Sequence, residues 1–191
     1  MWADQALARF VKCADVYTVL DVGAGDNQHA QIMREAGLNV TTISLRPPAD
    51  WICDYMTTRT GRVDGIWASH VLEHMPNVGD FLKKCFADLH HGGVLAVTVP
   101  PAKHNLVGGH VSLWNEGLLL YRLILAGFDC REARVGVYGY NLSVIVRKVA
   151  ANLPPLAMDN GDIERLTKFF PFPIKQGTDG RCGNINWKES T

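Results

Sequence analysis

The sequence predicts an α/β fold: one mostly parallel seven-stranded sheet, covered by helices on both faces, with an antiparallel hairpin at one edge. Three observations carry that prediction. Apolar, β-rich runs alternate with stretches of helical periodicity, the pattern of a parallel sheet buried on both sides. A glycine turn, Gly23-Ala24-Gly25, directly follows the first β-rich run, and the last two such runs succeed one another with no helical stretch between them.

The elements follow in order. Residues 1–15 (MWADQALARFVKCAD) space their apolar residues as an amphipathic helix does. Tyr17–Asp21 reads as the first strand and Gln28–Ala36 as a helix stopped by Gly37. Asn39–Leu45 is the second strand, ended by Pro47 and Pro48, Asp50–Cys53 a short third and Val63–Ser69 (VDGIWAS) a fourth. Asn77–His90 predicts a helix with Phe81, Leu82, Cys85, Phe86 and Leu89 on one face, ended by Gly92 and Gly93 before the apolar strand Val94–Val99. A helix over Trp114–Ala126 follows, with Trp114, Leu118, Tyr121 and Leu125 as its core-facing stripe. Two β-rich runs, Phe128–Val137 and Asn141–Val149, form the edge hairpin.

Residues 1–150 make one domain, and beyond Ala150 the composition turns to Pro, Gly and aromatics around one short helix, Asp162–Phe169. Residues 151–191 read as an extension packed on that domain or engaged in a homodimer contact. Phe169, Phe170 and Phe172 are too costly to leave in water, so they are expected to cover the substrate side or to form that contact.

Composition narrows the partners. The 191 residues are 47% hydrophobic with 19 basic and 19 acidic side chains, which suits a single domain with a substantial core. No run of Lys or Arg offers a footprint for a nucleic-acid backbone or an anionic membrane. Five widely spaced cysteines, odd in number and without a CxxC pair, argue against a disulfide framework or a zinc knuckle and for reduced thiols in the cytoplasm. Neither a signal peptide nor a membrane span is expected.

Ligands of such sheets bind beyond the carboxyl ends of the strands, which puts the glycine turn in view. A dinucleotide turn needs a third glycine where this chain has Gln28. Asp21 and Asp26 flank the turn and would repel a pyrophosphate while attracting a cation, although Asp26 is also placed to cap the following helix. S-adenosylmethionine meets that requirement: it has no phosphate, carries an ammonium and a sulfonium, and presents a carboxylate to backbone donors.

At these residues the chain resembles the class I S-adenosylmethionine-dependent methyltransferases of the small-molecule branch. VLDVGAGDN is similar to their first motif, VDGIWASHVLEHMP to their fourth-strand motif, and HHGGVLAVTVPP to the fifth strand and its approach. The resemblance spans about residues 17–149 and implies a Rossmann-like fold. It implies that Asp21, Gly23, Ala24 and Gly25 lie against the amino-acid end of the cofactor, with Asp21 toward the ammonium. It places Asp54 at the adenine amino group with Tyr55 or Met56 flanking the ring, and Ser69 and His70 near the reactive methyl. The ribose acid of the family is missing, because Ser44-Leu45 stands at the end of the second strand, and a serine makes only part of a bidentate carboxylate contact.

That departure leaves two rivals open. Ser44 and Arg46 would suit the 2′-phosphate of NADP in an oxidoreductase, and the weakened ribose site would also suit a protein of this fold that binds without catalysing. His70-Val71-Leu72-Glu73-His74 spells HxxEH, a zinc-peptidase pattern, but it starts at a strand end and meets Pro76 at once, so no metal is expected. For an acceptor hydroxyl a base is useful, and PPAKHNLVGGHVSLWN offers His110 first and His104 second, on a loop that Gly108 and Gly109 can let move as a lid. Tyr138 and Tyr140 either reach the pocket or pack the edge. The expected acceptor is an oxygen of a sugar or other small metabolite.

Overall fold

The structure is a computed structural model and describes residues 2–187. Helix α1 (Asp4–Phe10) precedes β1 (Thr18–Val22), and α2 (Gln28–Glu35) leads to β2 (Asn39–Ser44). After β3 (Trp51–Ile52) and β4 (Val63–Ser69) come α3 (Val78–Asp88) and β5 (Leu89–Val99). Helix α4 (Glu116–Leu125), the strands β6 (Arg134–Tyr138) and β7 (Asn141–Arg147) and the short α5 (Asp162–Leu166) complete the chain.

The strands form one sheet in the order β3-β2-β1-β4-β5-β7-β6. β1 to β5 pair in parallel, while β7 runs antiparallel between β5 and β6, so the predicted sheet and its edge hairpin are both present. Strand order reverses at β1, with β2 on one side and β4 on the other, which opens a crevice beyond their carboxyl ends. Side-chain alternation divides the core: Leu20 and Val22 of β1 join the α3 and α4 side, and Val19 joins the α1 and α2 side with Phe10, Met33 and Trp67.

Helix α2 ends as its glycine predicts. Gly37, at φ +90°, lets its own N–H reach Arg34 O and the N–H of Leu38 reach Met33 O, satisfying two carbonyls of the last turn. Helix α3 is capped by the Asn77 side chain, which accepts from Asp80 N–H at 3.2 Å. It stops at Asp88, two residues earlier than expected. His90 to Gly93 belong to β5, where Gly92 adopts φ +78° and a Cβ on Gly93 would stand 2.9 Å from Asp64 O. The glycine pair therefore serves a register shift against β4, not a helix stop.

Two further expectations need correction. β6 begins at Arg134, because residues 128–133 leave the ladder: Cys130 N–H bonds to Phe169 O and Ala133 N–H turns back to Cys130 O. Helix α4 buries Leu119, Leu120, Leu123 and Ile124, while Leu118 is exposed and Tyr121 and Leu125 are half-buried. The run GLLLYRLIL is apolar nearly all round, so periodicity alone could not choose its buried face. Trp114 lies outside the helix and bridges to Pro101.

The extension beyond Ala150 packs on the same body. Phe169 and Phe170 are buried in the core on the α3 and α4 side, so the cost of leaving them in water is met inside the chain. The tail passes Gly180 against Gly117, pairs Ile185 with Val135 and stacks Trp187 on Tyr138. All five cysteines are free thiols. Among the described residues, no helix is long and apolar enough to cross a membrane.

Candidate functional site

The turn after β1 is held by backbone bonds from Gly23 and Ala24 to Ile43 O, so β2 fixes its position. Gly23 must be glycine: its φ is +77° and a Cβ there would stand 2.5 Å from Val71 Cγ2. Gly25, at φ +57°, faces open space, as a residue beside a ligand should. Asp26 does act at the helix start, accepting from Gln28 N–H at 3.3 Å and from the Gln28 amide at 2.7 Å, yet it also lines the crevice.

Asp21, near the end of β1, is 2% exposed, and its Oδ2 has no hydrogen-bond partner among the described residues. Burial pushes its carboxyl up to about 7, only partly offset by Arg34. A carboxylate left bare in such a place is costly and calls for a cation. This is the observation against which an ammonium-bearing cofactor is tested, and the residues fit it.

The crevice is a cavity of about 1020 Å³. Gly23, Gly25, Ser44, Leu45, Asp54, Tyr55 and His70 line it, whereas Asp21, Ala24 and Ser69 are not among its lining residues. Ser44 already accepts from Arg46 N–H at 3.3 Å, which leaves it a donor and part of its acceptor capacity. Asp54 caps a short 3-10 turn through Met56 N–H at 2.8 Å. Tyr55 lines the crevice but is anchored in the core, its ring packed on Phe81 and its hydroxyl donating to Asp88, and Met56 lines the crevice beside it.

At the end of β4 the chain turns sharply through His70, which holds φ +55°. The Ser69 hydroxyl just before it is buried without a partner among the described residues. Around His70 the hydrogen bonds define its protons. Asn141 Oδ1 accepts from Ala3 N–H and its amide nitrogen donates to Tyr138 O, which fixes the orientation of the amide. His70 Nε2, 3.0 Å from that Oδ1, must then donate, and Nδ1 donates to Glu73 Oε1 at 3.1 Å. Burial opposes a charged ring here, but the bonds to Glu73 and Asn141 outweigh it and raise the pKa. His70 thus has both ring nitrogens engaged, Nε2 with Asn141 and Nδ1 with Glu73.

A second cavity, about 450 Å³, lies beside the first under the loop of residues 101–113. His104, His110, Lys103 and Tyr140 line it. Tyr140 stacks on His70 and carries Lys103 over its ring at 3.9 Å, so it reaches the pocket, while Tyr138 packs the edge through Ser143. His74 and His110 meet edge-on where the two cavities adjoin. Trp2 closes over His70 and Tyr140 at 5.5 Å from each.

Sequence reasoning missed Asn141 and Trp2, while Glu73 was in view through the HxxEH pattern. Each acts on His70 from a different segment, and the one local signal was the three-residue spacing from His70 to Glu73.

A family model described as a methyltransferase domain matches residues 2–131. No curated protein matches the chain. Among solved structures, a Burkholderia thailandensis 1,6-didemethyltoxoflavin N1-methyltransferase, with its substrate and S-adenosylhomocysteine bound, is 21% identical over 78% of this chain and 80% of its own, with a TM-score of 0.65. The mitomycin 7-O-methyltransferase MmcR is 17% identical over 77% of this chain and 53% of its own, with a TM-score of 0.63. The [4+2]-cyclase SpnF is 22% identical over 68% of this chain and 57% of its own, with a TM-score of 0.57. At these identities the likeness establishes the fold.

Proposed function

The chain belongs to the methyltransferase domain family, and on that premise we propose that it transfers the methyl group of S-adenosylmethionine to an oxygen of a small-molecule acceptor. The observation that carries the reading is Asp21: a buried carboxylate with a bare oxygen, behind a glycine turn that lacks the third glycine of a dinucleotide site.

When bound, the cofactor supplies a methyl group already activated by its sulfonium, so the protein's work is to hold, orient and dry the reacting groups. Asp21 answers the ammonium, and the opened backbone at Gly23 and Gly25 admits the carboxylate. Ser44 takes one ribose hydroxyl, and Asp54 receives the adenine amino group beside Met56. The acceptor enters the smaller cavity, where His104 and His110 are the imidazoles available for a hydroxyl proton. His70 serves by position, with both ring nitrogens engaged by Glu73 and Asn141.

Ser44 keeps a second reading alive, a protein of this fold that binds the cofactor without transferring methyl, and a cyclase among the structural neighbours shows that fold does not fix reaction. Calorimetric titration with S-adenosylhomocysteine and, in parallel, with NADP tests the first step. Binding of the former alone supports the cofactor reading, and binding of NADP alone overturns it. Turnover of labelled cofactor in an acceptor screen then separates an enzyme from a silent binder.

A further inference from the structure

We propose that Glu73, His74 and His110 bind a divalent transition-metal ion of the zinc class, which fastens the loop of residues 101–113 to the wall of the cofactor cavity. One ligand atom from each of the three lies within 4.8 Å of the other two.

The protonation pattern is that of a ligand set. Glu73 is fully buried; its Oε1 accepts from His70, and its Oε2 has no partner among the described residues. His74 Nδ1 lies 2.9 Å from Gly109 O, and since a carbonyl only accepts, Nδ1 carries a proton and Nε2 is the nitrogen placed to bind an ion. Metal-binding imidazoles are oriented by such an outer N–H to a backbone carbonyl. His74 Nε2 stands 3.9 Å from Glu73 Oε1, too far for a hydrogen bond and suited to two ligands of one ion.

His110 supplies the third arm. Its ring meets that of His74 edge-on, 5.0 Å between centroids at 88°. The next residue, Val111, donates to Glu73 O at 2.8 Å, so the loop already docks where the ion would sit. Ligands about 2.0–2.2 Å from a tetrahedral ion stand roughly 3.3 Å apart, so the loop must close by up to about 1.5 Å, a movement the Gly108-Gly109 pair permits. Gly109 holds φ +80°, and a Cβ on it would come 3.1 Å from His74 Nδ1. Two imidazoles and one carboxylate, with a fourth position open, select zinc or cobalt over magnesium or calcium.

This set differs from the HxxEH pattern of the sequence. His70, the first histidine of that pattern, spends both nitrogens on Glu73 and Asn141, and the loop's His110 takes its place. Metal binding stands independently of the transferase reading. One consequence does rest on it: with His110 on the metal, His104 is left as the loop's imidazole for the acceptor proton.

The tag-free, chelator-stripped full chain is titrated with zinc chloride by calorimetry and with cobalt(II) by visible absorption. The expected result is one equivalent of either ion, intense cobalt bands of a four- or five-coordinate site, and affinity at least tenfold weaker in His110→Ala and in His74→Ala. Glu73→Gln disturbs a buried charge and can fail to fold, whereas His110 sits on a loop and its variant should keep the wild-type circular dichroism. Zinc should also protect residues 101–113 from limited proteolysis, with the protection lost in His110→Ala. Substoichiometric binding, undiminished affinity in His110→Ala, or loss of binding in a His90→Ala, His91→Ala surface control instead would each overturn the proposal. Failure of S-adenosylhomocysteine to bind would strike the transferase reading and leave the zinc result untouched.

Discussion

Replacing Asp21 by Asn removes the charge that the site spends stability to hold. In the folded chain its pKa is about 7, against 3.8 for an ordinary aspartate. The native state therefore binds more protons than the unfolded chain between those values, and its stability falls as pH rises through that window and levels off above about 7. At about 1.4 kcal/mol per pH unit the full cost is roughly 4 kcal/mol, of which about 2.5 kcal/mol falls between pH 5 and pH 8. Urea unfolding of both proteins at the two pH values isolates this contribution, because other titrating groups cancel in the comparison. Asp21→Asn should lose less stability than wild type on going from pH 5 to pH 8, by about 1–2.5 kcal/mol once relaxation around the buried carboxylate is allowed for. It should also bind S-adenosylhomocysteine about ten- to a hundredfold more weakly, the worth of one charged hydrogen bond. A pH dependence of stability identical in the two proteins would refute the buried-charge argument. An unchanged affinity for S-adenosylhomocysteine would refute the pairing of Asp21 with the ammonium.

Four other substitutions probe the remaining parts. Ser44→Asp restores an acid at the ribose position and should tighten S-adenosylhomocysteine about tenfold, roughly 1.4 kcal/mol by calorimetry; weakened NADP binding with no gain for S-adenosylhomocysteine would favour the oxidoreductase reading. Gly23→Ala meets both a left-handed backbone and Val71 and should cost about 2 kcal/mol in denaturant unfolding. Gly25→Ala, with open space around it, should cost about 1 kcal/mol and act mainly on cofactor affinity. Trp187→Ala empties a buried position stacked on Tyr138 beneath α1 and should lower stability by about 3 kcal/mol, with a matching fall in the thermal midpoint; no change would mean that the tail is an appendage.

How much of this was readable in the sequence follows from how local each signal is. The Gly37 stop, the start of α3 at Asn77 and the glycine turn after β1 depend on residues within a few positions of one another, and each formed where the sequence placed it. The face of α4 and the start of β6 did not, because both are decided by what packs against them: the tail reaches Cys130 through Phe169, and an all-round apolar helix takes whichever face the sheet offers. Charge behaved the same way. With no basic run in the sequence, the fold still gathers Arg9, Arg131, Arg134 and Arg147 with Asp129 and Glu132 around one cavity of about 990 Å³, away from the cofactor crevice.

The two sides of the candidate site differ for the same reason. On the cofactor side, Asp21, Gly23 and Gly25 sit within one strand-turn unit, so a short motif carries most of the chemistry, and what it could not show was that Tyr55 turns into the core toward Asp88. On the acceptor side, the surroundings of His70 are assembled from Trp2, Glu73, Tyr140 and Asn141, and its protonation is set by an amide whose own orientation depends on Ala3 N–H. A histidine at a strand end reads equally well as a base or as a cation until those partners are known. Here an unambiguous backbone donor fixes Asn141, Asn141 fixes Nε2 as a donor, and Glu73 engages Nδ1. With both nitrogens of His70 so engaged, the proposed transfer looks to the imidazoles of the loop for its base.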